Sequence, residues 1–138
     1  MPKVATCLLI DKEGKILILK RSNKVRTYKG QWCGIAGYVE ENEEPYVTAI
    51  KEIKEEIGIN EKDINLVRQL EPISFTDIYD GIRYDWKIYP FLFKIDKTFK
   101  INTDWEHTDF KWIFPSEIIN FNTVPLFKEI IYDLFDLI

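Results

Sequence analysis

A helix that carries its acidic residues at the unfavourable end is the feature that most constrains this chain. Apolar residues recur at helical spacing over Pro45–Ile57; Pro45 suits a first turn, and Gly58 suits a left-handed stop. Glu52, Glu55 and Glu56 fall near the end of this segment. The helix dipole disfavours the carboxylates of Glu55 and Glu56 by a few tenths of a kcal/mol each, and Glu52 and Glu56 repel each other as an i,i+4 pair. We therefore expect a positively charged partner beside these side chains.

The predicted helix has two separate faces. At about 100° per residue, Glu52, Glu55 and Glu56 share one arc, and an apolar stripe occupies another arc roughly 130° away. The apolar stripe consists of Tyr46, Ile50, Ile53 and Ile57. Three carboxylates on one face suit Mg²⁺ or Mn²⁺, which prefer hard oxygen ligands. The alternative is a solvated face in which Lys51 and Lys54 balance the acid.

Composition argues against several other classes of protein. The chain has 138 residues, of which 46% are hydrophobic and 30% charged, as is typical of one globular domain, which we predict over residues 1–138. Its net charge of −4 makes nucleic-acid binding unlikely. Cys7, Cys33 and His107 are too few for a thiolate–imidazole zinc site or a disulfide scaffold. No apolar run reaches the ~20 residues of a membrane span, so a cytoplasmic protein is expected.

Most of the remaining chain has strand character. The predicted strands are Lys3–Ile10, Ile16–Arg21, Trp32–Val39, Asn65–Phe75, Tyr84–Ile95 and Phe110–Phe114. Thr76–Arg83 is predicted to be a loop, Pro115–Ile119 a helical turn, and Thr123–Ile138 a closing helix. Many strands with one central and one terminal helix predict an α/β fold in which helices cover a mixed sheet.

The segment Gly37–Ile59 resembles the signature of the Nudix hydrolases, including the MutT-type members. That signature is Gly, five residues, Glu, seven residues, Arg-Glu, an aliphatic, any residue, Glu-Glu, any residue, Gly and an aliphatic. The matching positions are Gly37, Glu43, Lys51, Glu52, Ile53, Glu55, Glu56, Gly58 and Ile59. Lys51 is the one departure, since the family has arginine there. The resemblance implies a Nudix-type α/β/α sandwich over the whole chain.

The resemblance also assigns catalytic roles within the motif. It implies that Glu52, Glu55 and Glu56 bind Mg²⁺ or Mn²⁺ on a diphosphate substrate, and that Glu52 often acts as general base as well. An arginine at position 51 can hold the neighbouring glutamate through two parallel hydrogen bonds. Lys51 keeps the charge but offers a point contact. The alternative is that Lys51 only balances nearby acid.

Two further metal ligands are implied outside the helix. The backbone carbonyl of Ala36 matches a common ligand position of the family. A fourth acid often precedes a late strand, and Glu106 resembles it, with Asp104 and Asp109 as nearby alternatives. His107 adjoins Glu106 and is expected at the surface.

A basic run precedes the motif in this otherwise acidic chain. It consists of Lys20, Arg21, Lys24, Arg26 and Lys29. Arg21, Arg26 and Lys29 are the candidates for guiding a polyphosphate into the site; a solvated loop is the alternative. The candidates for stacking on a nucleobase are Tyr28, Trp32, Tyr79 and Trp86, although aromatic residues on strands are more often core.

Together, these features predict a metal-dependent hydrolase. The predicted reaction splits the pyrophosphate bond of a nucleoside diphosphate linked to another group. Two rivals use the same fold: a nucleotide sensor without activity, which usually lacks motif glutamates, and an isopentenyl diphosphate isomerase, whose cysteine setting Cys33 does not match. Pro72 and Tyr79 lie near positions typical of particular substrate groups without a clean match. Dimers are common in the family, and a homodimer is compatible with the sequence.

Overall fold

The structure is a computed structural model that describes residues 2–137. In that range it has eight strands and two α-helices. The strands are β1 (Lys3–Ile10), β2 (Ile16–Arg21), β3 (Trp32–Cys33), β4 (Ile35–Tyr38), β5 (Ile64–Gln69), β6 (Ile73–Tyr79), β7 (Ile82–Ile95) and β8 (His107–Ile113). The helices are α1 (Pro45–Ile57) and α2 (Phe127–Leu134), with 3₁₀ turns at Glu61–Asp63 and Pro115–Asn120.

Strand β1 lies at the centre of a mixed sheet. It runs parallel to β7 and antiparallel to β2 and β4. On the outer sides, β8 and β3 pair with β2, while β5 and β6 pair with β7. The mixed sheet confirms the predicted α/β class.

The alternation of side chains along the strands creates two cores, one on each face of the sheet. Leu9 and Leu17 face α1, where they pack with Ala49, Ile53 and Ile57. Leu8 and Ile18 face the opposite way and pack with α2. The apolar side chains of α2 are Phe127, Ile130, Ile131 and Leu134. The sheet therefore lies between two helices, as expected for an α/β/α sandwich.

The loop predicted at Thr76–Arg83 is wrong. Those residues form a β-hairpin in which β6 and β7 pair from Tyr79↔Ile82 onward, joined by Asp80 and Gly81. Both turn residues have positive φ, 51° and 76°. Asp-Gly favours this type of tight turn, and the twist of such turns matches that of paired strands.

Four other predicted elements differ from the structure. The strand predicted at Trp32–Val39 is two strands, β3 and β4, separated at Gly34. The strand predicted at Asn65–Phe75 is two strands, β5 and β6, separated at Leu70–Pro72, where Pro72 has no N–H to donate to a ladder. Strand β8 begins at His107, three residues before the predicted start. Helix α2 begins only at Phe127, because Leu126 has a left-handed φ of 66°; the predicted end at Ile138 lies outside the described residues.

Candidate active site

A cavity of about 820 Å³ lies beside the acidic face of α1. Its wall is built from β4, the loop between β2 and β3, the first half of β7, the segment before β8 and the start of α2. Ala36, Gly37, Glu52 and Glu106 all line it. Three of the five predicted metal ligands, from three separate segments, therefore line one cavity, whereas Glu55 and Glu56 do not line it.

Gly37 allows the strand β4 to lie directly against Glu52. A Cβ atom placed on Gly37 would overlap the Cγ, Cδ and Oε1 atoms of the Glu52 side chain. Only glycine, which has no Cβ, permits this approach. Glu52 is half-buried, and its pKa is raised by burial and by the neighbouring carboxylate of Glu55.

Glu56 is buried on the inner side of the same face, with 1% of its surface exposed. Neither carboxylate oxygen has a hydrogen-bond partner among the described residues. Burial, followed by the nearby Glu52 carboxylate, raises the pKa of Glu56 well above its ordinary value of 4.5. A buried carboxylate without donors is unfavourable unless a cation or a proton accompanies it.

The His107 side chain is buried next to the Glu56 carboxylate. Its Nε2 atom lies 3.7 Å from Oε1 of Glu56, and its Nδ1 atom lies 3.1 Å from Oδ1 of Asp104. The Cys33 Sγ atom is 4.0 Å from the same Nε2 atom. His107 is 6% exposed, so the surface position expected for it is wrong. Burial lowers its pKa, while Asp104 opposes that shift.

Glu106 lies in the turn directly before β8. It is half-buried and lines the cavity wall, whereas Asp104 is turned toward His107 and also accepts the Glu106 N–H at 3.1 Å. Burial, followed by Asp104, raises the pKa of Glu106. Asp109 is exposed and accepts the N–H of Phe110. Of the three acids weighed for this position, Glu106 is the one in the cavity wall.

The three motif glutamates differ in exposure. Glu55 is exposed, Glu52 half-buried and Glu56 buried. Among residues 2–137, no three histidine, cysteine, aspartate or glutamate side chains converge closely enough to chelate one ion as they stand. The carboxylate oxygens nevertheless suit a hard cation. Those of buried Glu56 accept no hydrogen bond among the described residues, and Gly37 leaves room for the Glu52 side chain.

Comparison with known proteins decides the family. The family model for the NUDIX domain matches residues 1–135. The chain belongs to the NUDIX family. The predicted family is therefore confirmed.

Relatives and solved structures agree with this assignment. The chain is 25% identical over 127 residues to the nucleoside triphosphatase NudI of Escherichia fergusonii, covering 87% of each chain. It is 29% identical over 136 residues to the RNA pyrophosphohydrolase of Wolbachia pipientis subsp. Culex pipiens, covering 89% of this chain and 80% of that protein. The fold superimposes on the Caenorhabditis elegans Ap4A hydrolase with a TM-score of 0.80 at 19% identity, covering 99% of this chain and 96% of that chain. The predicted enzyme class, a hydrolase acting on an acid anhydride, is confirmed.

Lys51 has a different partner from the one considered for the Nudix arginine. Its Nζ donates to Glu43 Oε2 at 2.9 Å, and Thr48 Oγ1 donates to Glu43 Oε1 at 2.6 Å. Adjacent residues on a helix point about 100° apart, so Lys51 diverges from Glu52. These hydrogen bonds lower the pKa of Glu43, that from Thr48 most. Lys51 thus ties the loop before α1 to the Nudix helix.

The predicted substrate contacts divide into two groups. Arg21, Arg26 and Lys29 line the cavity. Trp32 does not: it is 9% exposed and packs edge-on against Phe121, with ring centroids 5.4 Å apart. Strand β3 places the Trp32 ring in the core, the alternative considered for it, whereas Trp86 lines the cavity.

Tyr79 also lies outside the cavity wall of this Nudix domain. Its ring packs against Tyr28 with centroids 4.8 Å apart, and Tyr28 does line the cavity. Two exposed aromatic side chains in the wall, Tyr38 and Trp105, were missed from sequence. Each is adjacent in sequence to a predicted site residue, Tyr38 to Gly37 and Trp105 to Glu106, and this adjacency could have indicated them.

No helix in residues 2–137 is long and apolar enough to cross a membrane.

Proposed function

We propose that this Nudix hydrolase splits the pyrophosphate bond of a nucleoside diphosphate derivative, with Mg²⁺ or Mn²⁺ held by Glu52, Glu55 and Glu56. The single observation that carries the proposal is the buried, unpartnered carboxylate of Glu56 beside Glu52. A cation bound there would offset the cost of burying that carboxylate. The names of the relatives, a nucleoside triphosphatase, an RNA pyrophosphohydrolase and an Ap4A hydrolase, support a nucleotide substrate.

The bound cation would neutralise phosphate charge and acidify a water molecule. The chain's own residues supply the rest of the site. The Ala36 carbonyl and the Glu106 carboxylate are the additional ligands that we propose, since both residues line the cavity. Glu52 is the carboxylate that we assign to accept the proton of the attacking water, because it is the one motif glutamate in the cavity wall.

His107 has a positioning role in this proposal. It does not line the cavity, but it lies against Glu56 on one side and is held by Asp104 on the other. A side chain fixed in this way limits the positions that the Glu56 carboxylate can take. Lys51 acts at a greater distance, through Glu43, by holding the loop that enters α1.

The deciding experiment compares Glu55→Gln with wild type on a panel of nucleoside diphosphate derivatives with Mg²⁺. Glu55 is exposed, so the substitution should leave the fold intact. We expect turnover to fall at least about 100-fold because a ligand of the cation is lost. The matched control is Glu41→Gln, which removes an exposed carboxylate outside the cavity.

Binding of Mn²⁺, followed by electron paramagnetic resonance, supplies a second readout that does not depend on turnover. It should weaken in Glu55→Gln and not in Glu41→Gln. Unchanged turnover and unchanged Mn²⁺ affinity in Glu55→Gln would refute the site. Nucleotide binding without any turnover in wild type would instead favour the non-catalytic nucleotide sensor.

The cytoplasmic location, the single domain over 1–138 and the homodimer stay predictions.

A further inference from the structure

Four basic side chains line the same cavity as the acidic cluster. They are Arg21, Lys24, Arg26 and Lys29, from the end of β2 and the loop that follows it. Within residues 2–137, no carboxylate lies within 4.0 Å of a charged nitrogen of any of the four. Other basic residues of this acidic chain, such as Lys51 and Arg68, do form ion pairs. The four basic side chains therefore have no close ion-pair partner in the described part of the chain, although the carboxylates of Glu52 and Glu106 line the same cavity.

The loop holds these side chains in a defined arrangement. Its ends are closed by Arg21 N–H to the Gln31 carbonyl at 2.9 Å and Gly30 N–H to the Arg21 carbonyl at 3.0 Å. Inside it, the Arg21 Nε donates to the Thr27 carbonyl at 2.8 Å. Val25 is buried, whereas the neighbouring Lys24 is exposed. The buried residues anchor the loop backbone, and the exposed basic side chains extend from it.

The loop is also joined to both sides of the site. Ser22 N–H donates to the carbonyl of Glu106 at 2.8 Å, which ties the basic loop to the proposed fourth acid. Tyr28 O–H donates to Asp77 Oδ2 at 2.6 Å, which ties it to the β6–β7 hairpin. Because Asp77 lies on β6 and Glu106 directly precedes β8, the backbone of the basic loop is anchored to the sheet on both sides. Cations near a reaction centre favour ligands of matching charge.

The charge exceeds what a diphosphate alone requires. In the proposed reaction, the cation on the motif glutamates neutralises the scissile diphosphate. Three exposed basic side chains, Lys24, Arg26 and Lys29, remain for groups on either side of it, since the Arg21 guanidinium donates to Thr27. An uncharged sugar on the far side would leave them without partners. Additional phosphates would pair with them through charge-assisted hydrogen bonds, to which arginine is especially suited.

We infer that the substrate is a nucleoside polyphosphate with three or more phosphates in a row, selected over a nucleoside diphosphate joined to a neutral sugar. This inference rests on the proposed function. It assigns Lys24, Arg26 and Lys29 as specificity-determining residues, and Arg21 as the residue around which their loop closes.

The test is a charge-neutral triple variant, Lys24→Gln/Arg26→Gln/Lys29→Gln. All three side chains are exposed, so the melting temperature should stay near that of wild type. Nucleoside triphosphates and ADP-ribose are assayed in parallel with Mg²⁺. Wild type should prefer the triphosphates by at least about 10-fold in kcat/KM. The triple variant should lose about 10- to 100-fold on triphosphates, mainly through KM, and less than about 3-fold on ADP-ribose.

Two controls separate charge at this place from net charge in general. Lys12→Gln removes an exposed lysine outside the cavity and should leave both substrates unaffected. Lys24→Arg/Lys29→Arg keeps the charges and should retain the preference for triphosphates. Equal losses on the two substrate classes in the triple variant would overturn the inference, as would a wild-type preference for ADP-ribose.

Calorimetric binding separates failure of the inference from failure of the proposed function. If wild type cleaves neither substrate, the proposed function fails. Binding of ATP is then compared with binding of ADP-ribose. Tighter binding of ATP that disappears in the triple variant sustains the inference; equal binding refutes it.

Discussion

Glu56 illustrates how a single side chain can be held at a cost to stability. Its carboxylate is buried without a hydrogen-bond donor, and burial raises its pKa. In the metal-free protein the folded state therefore holds a proton that the unfolded chain releases near its ordinary value of 4.5. The contribution of Glu56 to stability should be fully present below that pH and should be lost as the pH rises through the higher pKa of the folded state. Glu52 and Glu106 shift in the same direction.

Glu56→Gln should therefore flatten the dependence of stability on pH. With EDTA present, the melting temperature of the variant should exceed that of wild type by an amount that grows between pH 5 and 8. An uncompensated buried polar group costs about 1–3 kcal/mol, which indicates a difference of several degrees at neutral pH. Thermal unfolding followed by circular dichroism is the measurement, with Glu41→Gln as the exposed control. Parallel curves for Glu56→Gln and wild type would contradict this account.

At the scale of elements, two glycines of the motif have different functions: one ends α1, and the other lies on the neighbouring strand β4. Gly58 has φ 78° and donates its N–H to the Lys54 carbonyl at 2.9 Å, which ends the helix. Gly37 lies on β4 and gives room to the Glu52 side chain. The first acts on backbone conformation and the second on a functional side chain. Both belong to the family motif for separate physical reasons.

Alanine substitutions should separate these two functions. Gly58→Ala introduces a left-handed non-glycine residue and should cost roughly 1–2 kcal/mol of unfolding free energy, with kcat within about threefold of wild type. Gly37→Ala should displace Glu52 and lower kcat at least about 100-fold. Urea unfolding and steady-state kinetics measure the two effects. Similar kcat values for the two variants would show that Gly37 serves the backbone alone.

At the scale of the whole molecule, the site depends on contacts between distant parts of the chain. Tyr28 and Asp77 are 49 residues apart and share a hydrogen bond of 2.6 Å. That bond joins the basic loop to the β6–β7 hairpin. His107 and Glu56 come together in a similar way, because β8 and α1 both pack beside the strands around β1.

Tyr28→Phe should release the basic loop without changing the acidic cluster. We expect KM to rise about 3- to 10-fold while kcat stays within about twofold, since the hydroxyl does not touch the proposed cation site. Loss of the hydrogen bond should lower stability by about 1–2 kcal/mol. Tyr89→Phe is the control, because no hydrogen bond of its hydroxyl is found among the described residues. A fall in kcat with KM unchanged would place Tyr28 in the chemical step instead.

The sequence by itself determined helix α1, its two ends and the spacing of its glutamates. Helix formation and termination depend on hydrogen bonds between residues within four positions, so Pro45 and Gly58 suffice to indicate them. It also determined the mixed sheet between helices through the order of its apolar segments. The hairpin turn is also a local feature, because Asp80-Gly81 favours the positive φ angles that a two-residue turn requires.

Only the tertiary structure decided which side chains are buried and which face the cavity. Glu55 and Glu56 are adjacent in sequence, yet one is exposed and the other is enclosed with His107. Trp32 entered the core, and Glu106 rather than Asp104 entered the cavity wall. Burial is a property of how distant elements pack, and the free energy that places each side chain comes from neighbours far away along the chain.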